Sequence, residues 1–415
     1  MRRCSAFHEE TCKECRYSGV YVLNIEGCEG SMYWLIGGSG SMNYGDELIV
    51  RGWMSYLSRN ENVKNIRIET NSKVSSERFH EEGVESAKEY GTAIVFDDFL
   101  YGLCGSVAGL SFWEQFVRGV EFFDKGGVDI YGEENFDFID SVRAIHLHGG
   151  GYFNDIFPWH GFILGFTMSL AKREGIPAMA TGIGLMPMGK PSREQREKFV
   201  SLMDCFSVFE LRDVESFRLV KSLSGGKGNV VNGFDDNFML KREDLFSCDG
   251  HGGANLVLSF IEHDICRMSR SYLKRLSEYA REFDRVVFWE CYPWQDENVI
   301  EFMRSHISDL EVVCSRDWVY ARGRLSQNDR VIVSRFHPHF CAARVGVSGV
   351  YNIKGRYYDV KHGSIVALGS GFGKGSLSRL VRPEKRQGVL CLYDEELASM
   401  KRKIVDIGVQ DFSLR

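Results

Sequence analysis

Short β-branched or apolar runs alternate with segments of helical period along most of this chain. That alternation is the strongest constraint on its fold, because it calls for parallel sheets flanked by helices rather than for a sandwich or a bundle. In the first half the spacing predicts strands at 33–36, 66–68, 93–96, 144–147 and 178–181, with helices such as 48–57 and 162–172 beside them. Between 235 and 254 the periodicity breaks, and Asp249, Gly250, His251, Gly252 and Gly253 have the polar, glycine-rich character of a domain joint. A second series follows, with strands expected at 255–260, 285–289, 311–313 and 331–334 and helices at 272–283 and 298–306. The expected class is therefore α/β: an N-terminal extension over 1–30, a first domain over 31–248 and a second over 249–415. A chain of 415 residues suits two such units. Ligands of open parallel sheets bind beyond the carboxyl ends of the strands, which makes the cleft between the domains the expected site.

Composition narrows the partners. A hydrophobic share of 44% with 26% charged residues belongs to a soluble globular protein, and a net charge of −6 with both signs well mixed gives no field to draw in nucleic acid or anionic lipid. An anionic ligand would have to be gripped by a local basic cluster. No apolar run is long enough to span a membrane, and the first residues are too polar for a signal peptide, so the expected compartment is the cytoplasm, with at most peripheral membrane contact. The twelve cysteines read as reduced thiols, with Cys205, Cys266, Cys314 and Cys341 in apolar or helical contexts. The spacing of Cys4, His8, Cys12 and Cys15 leaves a zinc site open as an alternative to free thiols.

Several loops carry chemistry. After the first predicted strand, residues 37–47 hold Gly37, Gly38, Gly40, Asn43, Gly45, Asp46 and Glu47, which suits either close approach to an anion at a helix start or a capped tight turn. The strand ending at Leu147 runs into Gly149, Gly150 and Gly151 and then Asp155, a loop that favours a ligand, while Gly182 and Gly184 repeat the pattern more weakly. Arg212 follows an apolar stretch and either reaches the cleft as a cation or pairs with Asp213 at a helix start. Ser334, Arg335, His337 and His339 end a hydrophobic strand, placing a cation and titratable imidazoles where the cleft should be.

Taken in order, these pieces resemble the polysaccharide pyruvyl transferase family: Asn43 to Glu47, Gly149 to Asp155, Gly182 to Gly184, Arg212 to Ser216, Ser334 to His337, and Tyr358 to Lys361. The likeness runs from Tyr33 to Leu368, and Pro338 stands where the family usually has a small residue. It implies two Rossmann-like domains in a glycosyltransferase-B-like arrangement, phosphoenolpyruvate as donor, no further cofactor or metal, and a glycan or a lipid-linked or nucleotide-linked sugar as acceptor. Carried over, Arg212, Arg335 and His337 go with the donor, and Ser334, Asn43, Gly150, Gly151 and Lys361 join them as binding residues. Two arginines suit a donor with a phosphate and a carboxylate, and ketal formation needs acid/base work, expected of His337 with Asp46 or Asp155 as helper. The alternative is a glycosyltransferase using a nucleotide sugar, whose scaffold would look much alike.

Overall fold

A computed structural model describes residues 31–104, 109–247, 253–353, 355–386 and 388–413. It contains two wholly parallel sheets. The first has seven strands, β1 (Met32–Ile36), β2 (Asn65–Glu69), β3 (Ala93–Asp97), β4 (Val142–Leu147), β5 (Ala178–Ile183), β6 (Phe206–Leu211) and β7 (Val230–Asn232), in the order β3-β2-β1-β4-β5-β6-β7. The second has six, β8 (Asn255–Ser259), β9 (Arg285–Trp289), β10 (Leu310–Val313), β11 (Arg330–Val333), β12 (Ser348–Tyr351) and β13 (Gly373–Lys374), in the order β10-β9-β8-β11-β12-β13. Each order is the doubly wound one, reversing after the third strand in space, so the chain is α/β with two Rossmann-like domains in the glycosyltransferase-B-like arrangement.

The sequence dictates this locally. β1 reads Met-Tyr-Trp-Leu-Ile and is buried at every position, as a strand covered by helices on both faces must be. Helices cover both faces: Trp34 and Ile36 pack with Phe112, Phe162 and Phe166 on one side, and Tyr33 and Leu35 with Ile49, Trp53 and Leu57 of helix Tyr44–Ser58 on the other. The second sheet is sandwiched in the same way.

The domains are joined firmly. Tyr44 and Leu48 of the first domain lie in the same apolar cluster as Trp289, Trp318 and Phe340 of the second. Arg344, fully buried, grips Asp394 through two nitrogens at 2.6 and 3.1 Å and donates to the carbonyls of Asn237 (2.6 Å) and Leu240 (2.9 Å). The last helix, Leu390–Ser413, starts on the second domain and returns to the first, where Val405 and Val409 pack with Leu35 and Ile66. There Lys401 forms buried ion pairs with Glu210 and with Asp236, the latter at 2.5 Å. The extension and the Cys4, His8, Cys12, Cys15 group lie outside the described residues. Among the described residues the cysteines are free thiols; Cys341 is buried, whereas Cys266 and Cys314 are exposed rather than packed as small hydrophobes. No described helix is long and apolar enough to cross a membrane.

Candidate active site

The strand order reverses between β1 and β4 in the first sheet and between β8 and β11 in the second, and the loops leaving these strands meet between the domains. From the first domain come the turn after β1, the glycines after β4 and Arg212 after β6; from the second, residues 334–337 after β11 and Lys361 of helix Gly355–Ala367. Tyr44 N donates to the Cys291 carbonyl at 2.7 Å and Tyr357 donates to the Gly151 carbonyl at 2.8 Å, so the two faces touch directly.

Each residue of the Asn43–Glu47 motif has a separate task. Asn43 caps helix Tyr44–Ser58, accepting from Gly45 N at 3.1 Å, so its side chain is a cap rather than a free ligand contact. Gly45 lies against His337: a Cβ there would fall 1.6 Å from the imidazole Nδ1, so only glycine lets the helix come this close. Glu47, fully buried, shapes the preceding turn by accepting from Gly40 N (2.8 Å) and Met42 N (2.9 Å), and His80 bonds its other oxygen at 2.8 Å. Asp46 alone turns its carboxyl towards the charged groups of the cleft, half-buried and interacting most strongly with Lys361, then with Glu47 and Arg212.

Three cations converge opposite it. Arg212 is buried beneath the Phe336 ring, 4.8 Å from its centroid, and bonds Asp235 at 2.6 Å. Lys361 lies 5.8 Å from the same ring and bonds the Tyr357 hydroxyl. Gly151 admits both, since a Cβ there would lie 2.4 Å from the Lys361 Cε and 2.6 Å from an Arg212 terminal nitrogen. Arg335 pairs with Asp296, whose other oxygen accepts from Cys291 N (2.8 Å) and Tyr292 N (3.0 Å) at the start of helix Pro293–Arg304. The Arg335 Nε has no partner.

Burial sets the protonation states. It pushes the Asp46 carboxyl up to about 7, with Glu47 and Asp235 adding to the rise while Lys361 and Arg212 oppose it. It pushes the Lys361 ammonium down to about 7, helped by Arg212 and opposed by Asp46. His337 falls to about 3 because burial and the neighbouring Arg212 and Lys361 outweigh Asp235, whose carboxylate lies 3.9 Å from its Nε2, beyond hydrogen-bond reach. The imidazole is therefore neutral near pH 7, and its Nε2 has no hydrogen-bond partner. Burial alone would raise the Asp235 carboxyl, but Arg212 and His337 hold it below the ordinary carboxylate range.

Other predicted residues sit elsewhere. Asp155 is exposed, and its carboxylate ties its loop to Gly189 N. Gly150 is required by packing, since a Cβ would strike Tyr152 at 1.8 Å, and its carbonyl accepts from Gly184 N at 3.0 Å. Ser334 is buried with its hydroxyl beside Asp264. His339 is a core residue, bonded to His362 (2.9 Å) and Ser370 (2.7 Å) and stacked on Tyr351 and Phe372. Asp213 caps helix Val214–Ser224, accepting from Ser216 N at 2.8 Å, which leaves Arg212 to Asp235. The anchoring carboxylates Asp235 and Asp296 escaped sequence reasoning; the available signals were an Asp in the turn after β7 and an Asp in the first turn of a Pro-started helix. Tyr292, whose phenol interacts with Asp46 and Arg335, stands at the mouth, and Trp294, 72% exposed, stands two residues beyond it.

No family model matches this chain, and no curated protein matches it in sequence. Solved structures of similar form include the UDP-GlcNAc 2-epimerase of Neisseria meningitidis bound to UDP-GlcNAc (11% identity, 91% of this chain and 94% of that one, TM-score 0.46). A UDP-N-acetylglucosamine 2-epimerase has 10% identity over 93% and 97% of the two chains, with TM-score 0.49. The glycotransferase of kitacinnamycin has 13% identity over 91% and 94%, with TM-score 0.41. At these identities the likeness is one of fold alone.

Proposed function

We propose that this chain is a sugar-modifying transferase that moves the enolpyruvyl-derived group of phosphoenolpyruvate onto two hydroxyls of one sugar as a cyclic ketal, as polysaccharide pyruvyl transferases do. The carrying observation is the convergence of Arg212 and Lys361 with a neutral imidazole and a protonatable carboxyl between two domains, with Arg335 close enough to act on the Lys361 ammonium. Separate guanidinium groups suit a small donor carrying a phosphate and a carboxylate.

The chemistry then divides between Asp46 and His337. Protonated Asp46 gives its proton to the methylene carbon of the donor, and positive charge develops at the neighbouring carbon under the stabilising influence of the carboxylate. A sugar hydroxyl attacks that carbon and loses its proton to His337, whose proton affinity rises once a dianion lies beside it. The bond to phosphate breaks, and the imidazolium passes its proton to the departing phosphate. The second hydroxyl closes the ketal, and its proton restores Asp46. One donor and two hydroxyls thus yield one ketal and one hydrogen phosphate.

The second reading is a glycosyltransferase that uses a nucleotide sugar. Several structures of similar form carry UDP-GlcNAc or UDP in their names, and glycine turns at a switch point suit a diphosphate as readily as a donor phosphate. Incubation with phosphoenolpyruvate and a panel of sugars and nucleotide-linked sugars decides between them. Phosphate release matched by a sugar product bearing the pyruvyl ketal supports the first reading. Transfer from a nucleotide sugar with phosphoenolpyruvate untouched supports the second.

A further inference from the structure

Beside the charged cluster, one strand further along the second sheet, lies a separate cavity of about 240 Å³, bordered by Arg267, Asn352, Gly375, Ser376 and Ser378, with Ile353 and Leu377 as apolar walls. It opens at the carboxyl ends of β12 and β13, and β12 is the parallel neighbour of β11, which delivers Arg335. Neighbouring strands run about 5 Å apart, so the cavity adjoins the cleft rather than forming a remote site. Asp264 links the two: it bonds Arg267 at 3.3 Å and sits beside the hydroxyl of Ser334.

The polar lining is rich in donors. Arg267 is fixed by Asp264 and by the Ile353 carbonyl at 2.8 Å, with its side chain one-third exposed (35%). Ser376 and Ser378 bring hydroxyls 2.8 Å apart. Asn352 is 2% exposed, and its side-chain amide nitrogen has no hydrogen-bond partner. A buried amide donor without a partner is costly to leave unmet, and its soft terminal torsion lets it turn towards a ligand in the cavity. Among the described residues no carboxylate borders the space. A guanidinium, an amide and two hydroxyls with no carboxylate among them select an anion rich in acceptor oxygens, and the volume fits a phosphate or diphosphate group better than a whole nucleotide.

We propose that this cavity binds the diphosphate of the carrier to which the acceptor sugar is attached, holding the sugar's hydroxyls over the donor cluster. That the ligand belongs to an acceptor rests on the transfer reading above; that the cavity takes a diphosphate does not.

Calorimetry with inorganic pyrophosphate on the full chain tests it. The Arg335→Ala background weakens competing binding at the donor cluster. The expected result is one equivalent of pyrophosphate bound in that background, weakened roughly tenfold or more by adding Asn352→Leu or Arg267→Gln. Ser376→Ala, on an exposed loop, weakens it less and guards against misfolding of the buried variants. Unchanged affinity in all three variants, or no pyrophosphate binding in the Arg335→Ala background, overturns the proposal. Uridine diphosphate and farnesyl diphosphate, titrated in the same way, separate a nucleotide carrier from a lipid one by which binds more tightly. Pyrophosphate binding that depends on Asn352, in a protein that never binds phosphoenolpyruvate, leaves the cavity standing and removes the transfer reading.

Discussion

His337 and Gly45 form one unit at the residue scale. The imidazole rests on helix backbone where any Cβ would collide with it at 1.6 Å. Gly45→Ala should therefore displace the imidazole while leaving the three cations in place. Turnover is expected to fall about 100-fold with phosphoenolpyruvate affinity little changed; equal loss of affinity would mean that His337 binds rather than reacts. Protonation gives a second test. Asp46 must carry its proton and Lys361 its charge, and both groups titrate near 7, the first raised and the second lowered by burial. Both requirements fail as pH rises through 7, so the rate at saturating donor should decline above that point. Because the two groups titrate as a pair, Asp46→Asn should both lower the rate and alter the alkaline limb, whereas a limb identical to wild type would remove Asp46 from the chemistry.

Arg212 and Arg335 were legible in the sequence at this scale because each follows an apolar strand, whereas Lys361 was reached only through the family resemblance. The arginines' carboxylate partners were not legible, because Asp235 and Asp296 come from other loops and only tertiary folding brings them close. Asp155 and Asp46 look equivalent as loop carboxylates, and only burial separates them.

Among elements, helix Leu390–Ser413 has the largest structural consequence. Lys401 neutralises Glu210 and Asp236 with no exposure on any of the three side chains. Lys401→Met leaves two buried carboxylates without their cation and should destabilise the protein by about 3–5 kcal/mol, read from the midpoint of urea unfolding. Helix Pro293–Arg304 makes the opposite prediction. Trp294 is 72% exposed at its first turn, so Trp294→Ala should change stability by less than about 0.5 kcal/mol. A flat exposed ring there suits a sugar face, so Trp294→Ala should raise the KM for acceptor while donor affinity holds; an unchanged acceptor KM rules out that stacking role.

The buried strands were readable as elements because a covered parallel strand is apolar along its length, as β1 is throughout and β11 is after Arg330. β13 was not, being only Gly373 and Lys374. The returning helix was also hidden, because its apolar residues are divided between two cores: Leu390 and Ala398 face the second domain, and Val405 and Val409 face the first.

For the whole molecule, two doubly wound domains bring their switch points together, and the candidate site is built from what each contributes. The first supplies Asp46, Gly151 and Arg212, and the second supplies Arg335, His337 and Lys361, so neither domain alone assembles the site. The alternation of strands and helices made this architecture legible, whereas the identity of the donor depends on how five side chains converge. The most direct measurement is calorimetric titration of phosphoenolpyruvate into the wild-type protein and into Arg335→Ala, at modest salt, alone and with UDP-GlcNAc in a parallel cell. The account predicts one equivalent bound by wild type and a loss of roughly 10- to 100-fold in the variant. A folded wild type that binds UDP-GlcNAc and ignores phosphoenolpyruvate would contradict it.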